Sequence, residues 1–252
     1  MQIGSAVLSS GIATFTTSAT ALNGGSHSIT ASYSGDTNFT GSNSSLLSQT
    51  VNSVATITTL ASNLNPSVAG QNVTFTATVS SSVSGPQSGT VNFYLDGSTT
   101  PVQSSSVSGN TATFSTSSLS AGNHTISAAF VSSSPNFAGS SSTTLTQSVE
   151  DFSISASPTS RTISHGHSGT YTLTLTPVNG FTGNISLSCS GAPTNTTCSV
   201  SPSQVTLNGT SSAQATVTVT VAKNATSGSR TLTLQGTSGS VTHSVTVSLT
   251  IN

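Results

Sequence analysis

Three observations predict an all-β protein built from antiparallel sandwiches: strict apolar and hydroxyl alternation, no helical periodicity, and a long internal repeat. Val73-Thr-Phe75-Thr-Ala77-Thr-Val79 and Ala213-Gln-Ala215-Thr-Val217-Thr-Val219-Thr-Val221 change character at every residue. Such alternation puts apolar groups on one face of a strand and hydroxyls on the other, and β-branched Thr and Val fit the pleat. No stretch carries the 3.6-residue period of a helix, and short strand patterns recur between Gly, Pro, Asn and Ser punctuation. Finally, Gly11 to Val51 and Gly109 to Val149 are two copies of one text, matching Phe15 to Phe114, His27 to His124, Phe39 to Phe137 and Val51 to Val149 at offsets of 97 to 99 residues. A period that long exceeds a solenoid unit and fits an array of small domains.

The complete copy runs from Ser53 to Val149. Its alternation predicts strands at Thr56 to Leu60, Val73 to Val79, Thr90 to Leu95, Val102 to Val107, Thr111 to Ser115, His124 to Phe130 and Thr143 to Val149. Seven strands is the number in a constant-type immunoglobulin sandwich. Asp96-Gly97 after Val91-Asn-Phe93-Tyr-Leu95 is a hairpin signal, because both residues tolerate the positive φ of a tight turn. The predicted core is Val73, Phe75, Val91, Phe93, Leu95, Phe114, Ile126, Ala128 and Phe130.

The first copy lacks the upstream half of this pattern, so residues 1–52 read as the C-terminal half of a repeat and the chain opens half-way through a domain. Glu150-Asp151 holds half of the four carboxylates and marks a short junction, expected to limit bending. Residues 150–252 then form a domain of a second type. Its strand texts are Phe152-Ser-Ile154-Ser-Ala156, Tyr171-Thr-Leu173-Thr-Leu175, Ile185-Ser-Leu187-Ser-Cys189, Ala213 to Val221, Leu232-Thr-Leu234 and Val241 to Ile251.

Composition narrows the function. Ser (57) and Thr (46) make up 103 of 252 residues, charged residues 3%, and the formal net charge is -1. Nothing in that balance attracts nucleic acid or an anionic membrane. The apolar fraction is 32%, and no apolar run approaches the roughly 20 residues that span a bilayer, so membrane insertion is not expected. A surface of uncharged hydroxyls and amides predicts a secreted, extracellular or cell-surface protein. Met1 is followed by neither a basic region nor an apolar one, and no sorting motif ends the sequence. Export signals are therefore expected elsewhere or already removed, with these residues a fragment of a longer product, a processed subunit, or a piece begun artificially at a convenient Met.

The stretches SSGIATFTTSATALNGGSHSITASYSGDTNF and GTVNFYLDGS, with the A-G-x-H-x-I pattern at Ala121 to Ile126, resemble the bacterial immunoglobulin-like repeats of very large secreted and surface proteins. FSISASPTSRTI, GFTGNISLSCSGAPTNTTCSVSPSQVTLNG and GTSGSVTHSVTVSLTI are similar to a second Ig-like type that accompanies them. The resemblance implies tandem immunoglobulin-like antiparallel β-sandwiches. For function it implies a stalk, spacer or adhesive module, since such sandwiches host many roles.

Candidate chemistry is sparse. Cys189 and Cys198, the only cysteines, flank a Gly-Ala-Pro turn and read as a disulfide, worth about 2.5 to 3 kcal/mol for a loop of roughly ten residues. A redox or metal pair would need C-x-x-C spacing or nearby charge. His165-Gly166-His167 supplies two ligands and no carboxylate nearby in sequence, so it reads as a polar turn. His27 and His124 share one repeat position and read as a structural corner. Three Asp and one Glu leave little for a hydrolase, none sits in a nucleophile-elbow frame, and Glu150 with Asp151 would make at best a weak calcium site. No cofactor is expected. Eight N-x-S/T sequons occur, where roughly seven follow by accident from so many Asn, Ser and Thr, so they do not argue for glycosylation. With no Trp and three Tyr, stacking on sugars is a minority reading.

The half-repeat is the functional clue. Phe15, Ile29, Ala31 and Tyr33 would line a core whose other wall corresponds to strands absent upstream. Leaving such groups wet forfeits on the order of 5 to 10 kcal/mol, and open edges invite pairing. The half-repeat is thus expected to be disordered in a fragment, to pack on the next domain, or to be completed by strands of another subunit. Head-to-tail completion would build rings or filaments. The expectation is a non-enzymatic structural protein forming a stalk or polymerised fibre, whose partners are further copies of itself or neighbouring domains. Two alternatives stand beside it: an adhesive module binding a glycan or host protein through Ser132 to Asn136 or Gly191 to Thr197, and an accessory domain of a large secreted enzyme.

Overall fold

A computed structural model describes residues 2–18, 20–83, 85 and 87–252, and its regular structure is strand throughout, with no helix among the described residues. The half-repeat holds β1 (Gly25–Ile29), β2 (Ser32–Gly35), β3 (Thr40–Asn43) and β4 (Leu47–Val51). β1 and β4 form one antiparallel pair, β2 and β3 another.

The complete copy holds β5 (Thr56–Ser62), β6 (Ser67–Val68), β7 (Val73–Ser81), β8 (Gly89–Leu95), β9 (Gln103–Ser106), β10 (Thr111–Thr116), β11 (Gly122–Ser132), β12 (Ser140–Ser141) and the start of β13 (Leu145–Ser157). All seven predicted strands are present. β6 and β12 escape prediction because two residues carry no period. Asp96 and Gly97 both have positive φ, and Ser98 N–H donates to Leu95 O at 3.0 Å, closing the turn between β8 and β9. Leu95 and Phe114 are half-buried rather than central, Leu95 because the strand ends there for the turn.

The third segment holds β14 (Ser160–Ile163), β15 (Ser168–Val178), β16 (Thr182–Ser190), β17 (Thr196–Ser201), β18 (Gln204–Asn208), β19 (Ala213–Val221), β20 (Gly228–Ser238) and β21 (Val241–Ile251). One sheet orders β17-β19-β15-β13, the other β14-β21-β20-β16-β18. Between them lies a core that includes Phe152, Tyr171, Leu173, Ile185, Val217 and Leu234. The Tyr171 hydroxyl donates to Ser248 O at 2.9 Å, tying β15 to β21, and burial raises its pKa.

The expected last strand of the complete copy, Thr143 to Val149, is longer than the alternation indicated. β13 runs without a break through Glu150 and Asp151: Leu145 to Val149 pair with β11, and Asp151 to Ser157 pair with β15. Burial changes phase there, from Gln147 and Val149 to Phe152, with Glu150 and Asp151 half-buried in between. The two carboxylates therefore sit where a strand changes the face it buries, not in a loop.

By contacts the chain forms two compact units, one of residues 1–61, 76–114 and 127–144, the other of residues 62–75, 115–126 and 145–252. In the first, Ala77, Val79, Val91, Phe93, Ala128 and Phe130 are buried, and the Phe93 and Phe114 rings lie 5.8 Å apart.

Candidate functional site

The half-repeat keeps the local geometry of its copy almost bond for bond. β1 and β4 pair with Gly25 opposite Val51, His27 opposite Gln49 and Ile29 opposite Leu47. β11 and β13 pair with Gly122 opposite Val149, His124 opposite Gln147 and Ile126 opposite Leu145. His27 Nε2–H donates to Asn23 O at 2.7 Å, and His124 Nε2–H to Ser120 O at 3.0 Å, so each histidine ties its strand to the carbonyl four residues upstream. Ala31 N–H donates to Ser44 Oγ at 3.0 Å, as Ala128 N–H does to Ser142 Oγ at 3.0 Å.

Burial separates the copies. Of the residues expected to line the missing core, Phe15 is 45% exposed and Ala31 is exposed, while Ile29 and Tyr33 are half-buried. Their counterparts Ile126, Ala128 and Phe130 are buried, and Phe114, the counterpart of Phe15, is half-buried. Ile29 joins Thr17, Ser18, Leu22, Gln49 and Val51 around a shallow hollow. Tyr33 turns its hydroxyl to Asp36 Oδ2 at 2.9 Å. Asp36 Oδ1 also accepts from Asn38 N–H at 2.8 Å and Phe39 N–H at 2.9 Å, and the Asn38 bond, the Tyr33 hydroxyl and the Phe39 bond together lower its pKa.

Sequence reasoning passed over a glutamine. Gln147 is fully buried although it sits in a strand rich in wet residues. Its Oε1 accepts from Ser62 Oγ at 2.7 Å, and its Nε2 donates to Leu64 O at 2.8 Å and Ser67 Oγ at 3.1 Å. Beside it Asn65 Nδ2 donates to Thr146 O at 2.7 Å and Asn65 Oδ1 accepts from Ser148 N–H at 2.9 Å, so one amide imitates a strand partner. β6 continues that edge in parallel, Ser67 opposite Val149. The equivalent Gln49 is exposed and donates to Thr50 O. The signal in the sequence is the repeated Leu-Ser/Thr-Gln-Ser/Thr-Val of residues 47–51 and 145–149.

Asparagines bind the segments at their joints. Asn136 Oδ1 accepts from Gly24 N–H at 2.7 Å and its Nδ2 donates to Asn23 Oδ1 at 3.3 Å; a Cβ at Gly24 would strike Pro135 O. Asn179 Nδ2 donates to Ser148 Oγ at 2.9 Å, Val149 O at 3.1 Å and Asn123 Oδ1 at 3.2 Å. Asp151 Oδ1 accepts from Phe152 N–H and from His243 Nε2–H, both at 2.7 Å, and the His243 ring meets Phe152 edge-on at 4.9 Å. His165 Nε2–H donates to Ala225 O at 2.9 Å from a turn.

Cys189 and Cys198 form a disulfide with their Cα atoms 5.9 Å apart. It does more than close a loop: β16 and β17 lie in opposite sheets, so the bond staples the sandwich. Above it, Asn195 Nδ2 donates to Asn224 O at 3.2 Å, holding the Gly191 to Thr197 loop.

A family model described as Bacterial Ig-like domain (group 3) matches residues 1–52 and 59–150, more than half of the chain. The chain belongs to this family. The two matched stretches fall on the two copies of the repeated text. No curated protein matches it. Solved structures similar to it include domains 4 and 5 of the S-layer protein SbsC, at 18% identity over 77% of this chain and 96% of that one, with a TM-score of 0.31. The D0-D1 domain of Intimin is 15% identical over 76% and 97%, with a TM-score of 0.29. Fibronectin(III)-like modules of Clostridium thermocellum CbhA are 14% identical over 77% and 94%, also with a TM-score of 0.29.

Proposed function

We propose that this chain is a non-enzymatic, extracellular structural protein, a segment of a stalk or surface fibre in which Ig-like modules at 1–52, 53–149 and 150–252 are joined end to end and the half-repeat is closed by strands from outside these residues. The observation that carries the reading is β13, one strand hydrogen-bonded to β11 at its start and to β15 at its end. A strand shared in this way leaves no free linker to bend, and the Asn136 and Asn179 side chains brace the two joints. A surface almost without charge suits a stalk, because its stability then depends little on salt. The disulfide favours an oxidising compartment.

The test compares the mass and shape of residues 1–252 with those of a chain lacking residues 1–52, by light scattering and negative-stain electron microscopy. Defined oligomers or filaments that vanish on truncation support the fibre. A monomer in both cases leaves a passive stalk.

The adhesive reading narrows to one loop. Asn136, in Ser132 to Asn136, is already bonded to the half-repeat, whereas Gly191 to Thr197 is braced by the disulfide and Asn195 and is exposed at Gly191, Thr194, Asn195 and Thr197. A binder of this kind would show saturable binding to a glycan or protein surface, lost on Thr194→Ala with Thr197→Ala.

A further inference from the structure

We propose that Asn208-Gly209 is a self-modifying site: Asn208 cyclises onto the Gly209 nitrogen, loses ammonia and is opened by water to aspartate or isoaspartate, ahead of every other Asn-Gly pair in these residues. The pairs are Asn23-Gly24, Asn179-Gly180 and Asn208-Gly209, and nothing in their sequence ranks them. A glycine after asparagine lets the main-chain nitrogen reach the amide carbon, because no Cβ stands in the way. The fold must then supply an uncommitted nitrogen, donors aimed at Oδ1 where negative charge gathers, and an amide group free to leave.

One pair has all three. Asn208 Oδ1 accepts from Ser211 N–H at 2.9 Å, Thr210 N–H at 3.2 Å and the Thr210 hydroxyl at 3.3 Å, the arrangement of a small oxyanion hole. Its Nδ2 and the Gly209 N–H make no hydrogen bond among the described residues, and Asn208 is exposed to the water that opens the ring. At Asn23-Gly24 the nucleophile is already engaged, since Gly24 N–H donates to Asn136 Oδ1 at 2.7 Å. At Asn179-Gly180 the leaving group is held, because Asn179 Nδ2 donates to Ser148 Oγ, Val149 O and Asn123 Oδ1. Asn179 Oδ1 has no donor among the described residues.

The chemistry needs only water and hydroxide. Hydroxide takes the Gly209 amide proton, the nitrogen bonds to Asn208 Cγ, and the bond from Cγ to Nδ2 breaks as ammonia leaves, giving a cyclic imide. Water then adds to a ring carbonyl. Breaking the new bond between Cγ and nitrogen gives aspartate, and breaking the original peptide bond gives isoaspartate. Aspartate keeps the same donors and adds a negative charge to a chain of formal net charge -1. Isoaspartate lengthens the main chain by a methylene beside Gly209, which has little slack: a Cβ there would meet Gly180 O at 2.9 Å.

The test holds residues 1–252, folded, in mildly alkaline buffer made with oxygen-18 water and follows the Asn-Gly peptides by mass spectrometry, beside the same chain in urea. In the folded chain Asn208 should take up solvent oxygen about tenfold faster than Asn23 or Asn179, a modest part of what one oxyanion donor contributes in an enzyme. In urea, where no fold ranks the pairs, the rates should converge. Thr210→Val, changed only at an exposed side chain, should slow Asn208 about twofold to tenfold, the equivalent of one ordinary hydrogen bond, and leave the other pairs unchanged. A lead by Asn23 or Asn179, equal rates in the folded chain, a lead by Asn208 that persists in urea, or an undiminished rate in Thr210→Val overturns the proposal.

Discussion

The two copies of the repeat differ in burial and hardly at all in local bonding. His27 and His124, Ala31 and Ala128, and the register of β1 with β4 and of β11 with β13 agree, yet Leu47 is 60% and Phe39 69% exposed while their counterparts Leu145 and Phe137 are half-buried. The contrast separates two sources of order. Corner histidines, serine bonds to the backbone and strand pairing are written within about twenty-five residues and need no second sheet. The hydrophobic term needs an opposing wall, which residues 53–107 supply to the second copy.

The largest expected effect comes from cutting the same position in both copies. Phe130→Ala should cost about 3 to 5 kcal/mol, the usual range for an aromatic removed from a packed core. Tyr33→Ala, at the half-buried equivalent, should cost less than about 1 kcal/mol. Hydrogen exchange across β1 and β11 reads both. A Tyr33→Ala penalty as large as that at Phe130 would mean that the half-repeat has a core of its own.

Next in size is the disulfide. Replacing both cysteines by serine should remove about 2.5 to 3 kcal/mol from the third segment. Neither repeat copy contains a cysteine, so their exchange rates should not move. If β11 or β1 loosened equally, stability would not be partitioned by segment. The glutamine pair comes third. Gln147→Ala empties a fully buried site, takes a partner from buried Ser67 and from half-buried Ser62, and should cost about 1 to 3 kcal/mol, against a change within about 0.5 kcal/mol for Gln49→Ala. Equal losses in urea unfolding would show that Gln49 already has a buried partner.

The seven strands of the complete copy were legible because each alternates over several residues, and the corner histidines because they recur at one repeat position. Three features were not legible, each for its own physical reason. β13 hides behind Glu150-Asp151, a charged pair that reads as a short junction but sits inside a strand, where it switches its buried face. Gln147 looks like one more wet residue, and its burial depends on partners 80 to 85 positions away. Asn136 and Asn179 brace joints through side-chain amides, and nothing in 17 scattered asparagines marks which two do so. The unlit part of the site was therefore its polar part, where one amide's meaning depends on what tertiary structure brings to it.

The smallest expected effect sharpens the comparison in the turn where the copies diverge chemically. Asp36 and Ser134 hold the same place: Asn38 N–H donates to Asp36 Oδ1 at 2.8 Å, and Asn136 N–H to Ser134 Oγ at 3.2 Å. Only the first of these groups titrates. The folded pKa of Asp36 lies below its ordinary value of 3.8, chiefly through the Asn38 bond and then the Tyr33 hydroxyl. A carboxylate lowered on folding stabilises the turn above its unfolded pKa and stops doing so as pH falls through the folded one. The Asn38 and Phe39 amides should therefore keep their positions from neutral pH down past 3.8 and move only in stronger acid, while the Asn136 amide stays still throughout. The group is fully exposed, so the change belongs to the turn and not to global unfolding. A midpoint at or above 3.8 in an amide-detected titration would show that the three bonds to Asp36 do not persist in solution.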